Sequence, residues 1–240
     1  MSLIPENENY QAQSFAAQAL LEWRTPIAAV AFDMDGLMLN TEQIYFDVGQ
    51  AILQRRGRSF TDALQRGMMG LPGTKAFEFL IAAENLDATP EELTRESDEI
   101  FSALLPDRLQ AMPGLHSLLE FLDRLSLPRC VATSSRRVFA ESSLAMVGVL
   151  SQVDFIVTAE DVQHGKPAPD IYLLAAQKMG ISPEEMLVLE DSQHGSRAGV
   201  ASGACTVAVP GDHSRNHDFS GTFFIASSLA DPRILTLLGS

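Results

Sequence analysis

Four short polar clusters, each placed where an apolar run stops, constrain this chain more than any other feature: Asp33-Met34-Asp35-Gly36, Thr133-Ser134-Ser135, Lys166-Pro167 and Glu190-Asp191. The runs beside them, at 27–32, 129–132, 153–157 and 186–189, have strand-like composition, and helical patterns separate them. Such alternation specifies a parallel α/β sheet. Ligands of these sheets bind at the carboxyl ends of the strands, so the topology predicts that four clusters distant in sequence meet on one rim. That rim would carry carboxylates, a hydroxyl and an ammonium group.

The expected architecture is α/β, a Rossmann-like doubly wound parallel sheet core with an inserted α-helical cap domain. The first strand, at 28–32, is small and apolar throughout, as a central strand buried on both faces must be. Helical patterns at 41–56, 74–84 and 90–105 follow with no strand between them. They read as a helical insertion, with turn chemistry at Pro72-Gly73, Thr89-Pro90 and Met112-Pro113-Gly114. From Leu115 the β/α alternation resumes and runs through 130–133, 155–158, 187–190 and 205–209 to 223–226. The core is therefore expected at 25–40 and 113–240 and the cap at 41–112, with the two crossings acting as hinges. A mobile cap suits a site that admits a polar substrate and then excludes water. Residues 1–24 read as an N-terminal helical extension, with Phe15, Ala16, Leu20, Leu21 and Trp23 near helical spacing.

Composition narrows the function classes. A hydrophobic content of 46% over 240 residues is enough for a sizeable core, and the formal charge of −14 opposes binding to nucleic acid or to an anionic membrane surface. No apolar run reaches the roughly 20 residues that span a bilayer, and a secretion signal is not evident. The two cysteines, Cys130 and Cys205, each fall inside an expected buried strand. They read as core residues of a cytoplasmic protein rather than as a disulfide. A monomer is the default expectation.

The clusters themselves suggest phosphoryl chemistry. Asp33 and Asp35 stand one residue apart, with Gly36 letting the chain turn after the strand. One carboxylate can attack phosphorus while the other handles protons. Thr133 can donate its hydroxyl to a phosphoryl oxygen, with the amides of Ser134 and Ser135 alongside; its simpler alternative is a helix cap. Lys166 supplies a point charge in a segment fixed by Gly165 and two prolines, although a single lysine is ordinarily solvated surface. Glu190 and Asp191 add two more carboxylates. Helix capping by Asp191 or Ser192 is their rival role, but acids gathered on one rim with Asp33 and Asp35 call for a hard cation such as Mg²⁺. The lack of a Cys/His cluster argues against zinc. His164 and His194 read as surface histidines.

These motifs closely resemble the haloacid dehalogenase-like hydrolase superfamily over about residues 27–231. Within it, the chain looks like the branch of β-phosphoglucomutase, sugar-phosphate phosphatases and pseudouridine-5′-phosphatase. The resemblance implies Asp33 as nucleophile, Asp35 as acid/base, Thr133 as phosphate-binding hydroxyl and Lys166 as charge-stabilising lysine. Magnesium would be held by the Asp33 side chain, the Asp35 carbonyl and Asp191, with Glu190 close by. Gly36, Thr133, Ser134 and Lys166 form the expected phosphate-binding set, and Glu42, Tyr45, Leu71 and Lys75 the expected cap contacts to substrate, a small phosphorylated metabolite. Asn40, Tyr45 and Gly73 depart from the mutase pattern, which leaves simple hydrolysis favoured. A phosphosugar mutase and a non-catalytic phosphate-binding protein are the alternatives.

Overall fold

The computed structural model describes residues 23, 25–68, 71 and 74–239. The helix expected within 1–24 lies outside them except for Trp23, whose ring meets that of Phe223 edge-on at 5.8 Å. Contacts divide the chain into two compact units. One runs up to Met38 and resumes at Ala111, and the other is Leu39–Gln110.

In the first unit, strand β1 is Ala29–Phe32, fully buried along its whole length, as its unbroken apolar sequence requires. In the second unit, helices α1 (Thr41–Gln54), α2 (Asp62–Met68), α3 (Lys75–Glu84) and α4 (Pro90–Arg108) follow one another. Helix α4 starts on a capping box, in which Thr89 accepts from the Glu92 amide and Glu92 accepts from the Thr89 amide, with Pro90 in the first turn. Its stripe of Leu93, Ile100, Phe101 and Leu105 is buried. Glu96 ties α4 to the end of α1 through Arg55 (2.8 Å) and Arg56 (2.7 Å). Asn40 joins the two ends of this unit: its amide group donates to the Arg108 carbonyl (3.0 Å) and accepts from the Gln110 amide (2.7 Å). Helix α2 was not among the expected elements. It is a single short stretch with only Leu64 buried, so no apolar stripe marks it.

The first unit then continues through α5 (Leu115–Leu125), β2 (Arg129–Thr133), α6 (Arg137–Met146), β3 (Phe155–Thr158), α7 (Asp170–Met179), β4 (Met186–Glu190), α8 (Gln193–Ser202), β5 (Cys205–Ala208), β6 (Phe224–Ile225) and α9 (Pro232–Leu237). In α5, Leu115, Leu118, Leu119 and Leu122 form one buried face at helical spacing. The six strands pair in parallel in the order β3-β2-β1-β4-β5-β6. The strand order reverses between β1 and β4, so the expected doubly wound topology is present with its switch point at that pair. Beneath it, Ile171, Tyr172, Ala175 and Ala176 of α7 pack on Ala31, Ala132 and Val188. Small residues on the strands let this helix approach closely. The strand bounds match the expected runs within two residues, the last strand shrinking to a pair at the sheet edge. Cys130 and Cys205 are buried free thiols, and burial pushes the Cys205 thiol up to about 12.

Candidate active site

Asp33 leaves β1 at the switch point, and its amide donates to the Leu189 carbonyl of β4 at 3.0 Å, which extends the pairing by one residue. Its side chain meets Lys166, which enters from the segment after β3 across a cis Lys166–Pro167 bond. The Lys166 ammonium donates to Asp33 Oδ1 (2.5 Å), Glu190 Oε1 (2.7 Å) and the Ala132 carbonyl (2.9 Å), with 5% of the side chain exposed. Three acceptors match its three protons. The same ammonium lies 5.1 Å from the centre of the Tyr172 ring, and the Tyr172 hydroxyl donates to Glu190 Oε1 at 2.8 Å. Glu190 Oε2 accepts from the Ser192 amide (3.2 Å) and hydroxyl (3.0 Å). A β-carbon at Gly195 would fall 1.6 Å from Glu190 Oε1, so any side chain at that position must displace the Glu190 carboxylate.

The second aspartate of the first cluster is held separately. Asp35 Oδ2 accepts from Ser135 Oγ (2.7 Å) and Thr133 Oγ1 (3.2 Å), while Thr133 Oγ1 accepts from the Ser135 amide (3.0 Å). Thr133 therefore serves the turn after β2 and does not cap α6, which begins after Arg136 without a side-chain cap. Ser134 is exposed on the same turn. Gly36 has φ +81°, and a β-carbon there would stand 2.4 Å from Asp191 Oδ2. Asp191 Oδ2 pairs with His213 Nε2 at 2.8 Å. Capping of α8 falls to Ser192, whose hydroxyl accepts from the Gly195 amide at 3.0 Å.

Asp33, Glu190 and Asp191 are all buried, and each offers a carboxylate oxygen within 4.8 Å of the others. Burial holds the Asp33 carboxyl well above the usual carboxylate range; Lys166 opposes this, and the charges of Glu190, Asp191 and Asp35 add to it. For Lys166, burial favours the neutral amine, but Asp33 and Glu190 outweigh it and hold the group as an ammonium. Burial also pushes the Tyr172 hydroxyl up, keeping it a neutral donor. Three buried carboxylates against one buried ammonium leave excess negative charge. This all-oxygen donor set fits a hard divalent cation.

Glu42, Tyr45, Leu71 and Lys75 belong to the Leu39–Gln110 unit: Glu42 in the first turn of α1, Tyr45 stacked on Phe101 at 4.5 Å, Leu71 exposed before α3, and Lys75 exposed at its start. Gly73 lies outside the described residues. His164 pairs with Asp170 at 2.9 Å on an exposed loop. Three contributing side chains were not singled out from sequence. In the sequence Ser135 offers only its amide; Tyr172 is hidden in the apolar pattern of α7; His213 sits in a loop after β5 with no motif around it.

The family pattern described as haloacid dehalogenase-like hydrolase matches residues 30–209, and the chain belongs to that family. Fructose-1-phosphate phosphatase YqaB of Escherichia coli K12 is 32% identical over 182 residues, covering 76% of this chain and 96% of that protein. A Drosophila melanogaster protein named "Probable pseudouridine-5'-phosphatase" is 32% identical over 206 residues, covering 83% and 89%. Among solved structures, a HAD family hydrolase from Deinococcus radiodurans R1 with bound phosphate and sodium is 26% identical, superposes with a TM-score of 0.75, and covers 86% of this chain and 93% of its own.

Proposed function

We propose that the protein is a magnesium-dependent phosphatase that hydrolyses a small phosphomonoester through an aspartyl-phosphate on Asp33. The observation that supports this most is the placement of two carboxylates at the end of β1 in different settings, Asp33 against Lys166 and Asp35 against Thr133 and Ser135. In the first half-reaction an Asp33 oxygen bonds to phosphorus as the bond from phosphorus to the ester oxygen breaks, and Asp35 gives its proton to that leaving oxygen. In the second, Asp35 takes a proton from water, the water oxygen bonds to phosphorus, and Asp33 departs as a carboxylate with release of inorganic phosphate. The Ser134 amide is placed to donate to the phosphoryl oxygens, and Lys166 and Thr133 would do so by exchanging part of their present contacts to Asp33 and Asp35 for the substrate.

Asp33, Asp191 and the Asp35 carbonyl, with Glu190 beside them, are the residues that would hold the cation. When bound, the cation supplies charge neutralisation to the carboxylates and the phosphoryl group. The relatives are named as phosphatases for fructose 1-phosphate and pseudouridine 5′-phosphate, which supports a sugar, nucleotide or polyol phosphate as substrate. Hydrolysis is preferred to mutase action on the same ground. The buried thiols Cys130 and Cys205 support a cytoplasmic setting, where the protein acts as a monomer.

The test is phosphate release from p-nitrophenyl phosphate and from a panel of such phosphomonoesters, with and without Mg²⁺. Two successive in-line displacements should give net retention at a chiral phosphorus, and Asp33→Asn should abolish turnover while the circular dichroism spectrum is unchanged. Inversion at phosphorus, or substantial magnesium-dependent turnover by that variant, would refute the mechanism.

A further inference from the structure

His213 is the one histidine of the first unit whose ring is built into the acidic site. It stands on a turn in which the Ser214 amide donates to the Gly211 carbonyl (3.2 Å) and the Gly211 amide donates to Ser214 Oγ (3.1 Å), with Ser214 fully buried. A β-carbon on Gly211 would come within 2.9 Å of His213 Cε1, and one on Gly36 within 3.1 Å of the same atom. The imidazole thus fits between two stretches of backbone that carry no side chain, one of them the turn after Asp35. Only 12% of the side chain is exposed. An ionised carboxylate can only accept, so the short contact to Asp191 Oδ2 places the imidazole proton on Nε2.

We infer that His213 is a positioning residue for Asp191, fixing the rotation of that carboxylate so that it faces the cluster with Asp33 and Glu190. The inference rests on the proposed metal-dependent reading of the site. A carboxylate at the end of a short side chain rotates about χ2, and a cation bound through it gains from having that rotation set beforehand. Outer partners that hydrogen-bond a metal-binding carboxylate typically contribute about 10- to 100-fold to metal affinity. A ring that served only to pack the loop would need no polar atom aimed at Asp191.

The experiment is a Mn²⁺ titration of the full chain, followed by electron paramagnetic resonance, for wild type, His213→Ala and His213→Gln. Glutamine keeps an N–H donor near the position of Nε2. Mn²⁺ binding should weaken by about 10- to 100-fold in His213→Ala and stay within about threefold of wild type in His213→Gln. Binding within twofold of wild type in His213→Ala, or equally weak binding in both variants, overturns the positioning role alone. A wild-type protein that binds no Mn²⁺ in competition with Mg²⁺ overturns the metal reading, and the inference with it.

Discussion

Replacing Lys166 with Met keeps the length and apolar stem of the side chain and removes only the ammonium. The change leaves the Asp33 and Glu190 carboxylates without their shared cation and the Ala132 carbonyl without its donor, at a position 5% exposed. Breaking a buried ion pair by removing one partner costs about 3–5 kcal/mol, because the other charge stays buried. The cost should depend on pH. Asp33 already sits well above its ordinary range, and Lys166 is the one neighbour that pulls it down, so the variant raises it further. A carboxyl with a raised folded-state value contributes its full stability below the unfolded value near 3.9 and loses it as pH rises through the folded value. The variant should therefore fall furthest behind wild type at pH 7.5 and recover part of the gap at pH 5. Urea denaturation in the presence of chelator can be followed by Trp23, the only tryptophan, which packs on Phe223 in the same unit as the site. A deficit below about 1 kcal/mol at pH 7.5, or one that is constant between the two pH values, would refute the account of Lys166 as the buried counter-charge.

Two further substitutions probe the supports of the site. Gly195→Ala sets a methyl group against a Glu190 carboxylate that Lys166 and Tyr172 already hold in place; overpacking of about 1–3 kcal/mol outweighs the helix-propensity gain of up to about 1 kcal/mol, so calorimetry should show a lower Tm. An alanine variant as stable as wild type would show that Glu190 is free to move. Ser135→Ala removes the shorter of the two hydroxyl contacts to Asp35 and leaves Thr133 at 3.2 Å; with a charged hydrogen bond contributing about 1.5–3 kcal/mol, kcat should drop by about tenfold or more with KM little changed, and a rise in KM alone would contradict a role through Asp35.

The sheet was legible because its strands are short runs buried on both faces, and an apolar run that ends in a polar cluster marks both the strand and its carboxyl end. That is why Asp33, Thr133 and Glu190 could be placed on one rim before any contact was known. Helix α2 escaped because one buried leucine makes no period. Ser135 and Tyr172 escaped for a different reason: their polar atoms act across long separations in sequence, Ser135 on Asp35 and Tyr172 on Glu190. In the sequence Tyr172 occupies a core position of α7, and periodicity assigns its ring correctly while saying nothing about its hydroxyl. His213 has no periodic or motif signal at all, since its place depends on the chain passing Gly36 and Gly211 on either side.

These supports share one electrostatic logic. Lys166 and Tyr172 hold Glu190, Ser135 and Thr133 hold Asp35, and His213 holds Asp191, so each acid except Asp33 has its orientation fixed by a hydroxyl, a ring N–H or a donor shared with Asp33. Asp33 keeps one shared ammonium against burial and three neighbouring acids, and its carboxyl is pushed toward the protonated form. A nucleophilic carboxylate must be ionised. Lys166 is the positive charge this chain sets against that push, and a cation held by the same carboxylates would add to it. A cation bound by Asp33, Glu190 and Asp191 would favour the ionised carboxylates, so Mg²⁺ affinity at this site should weaken as pH is lowered.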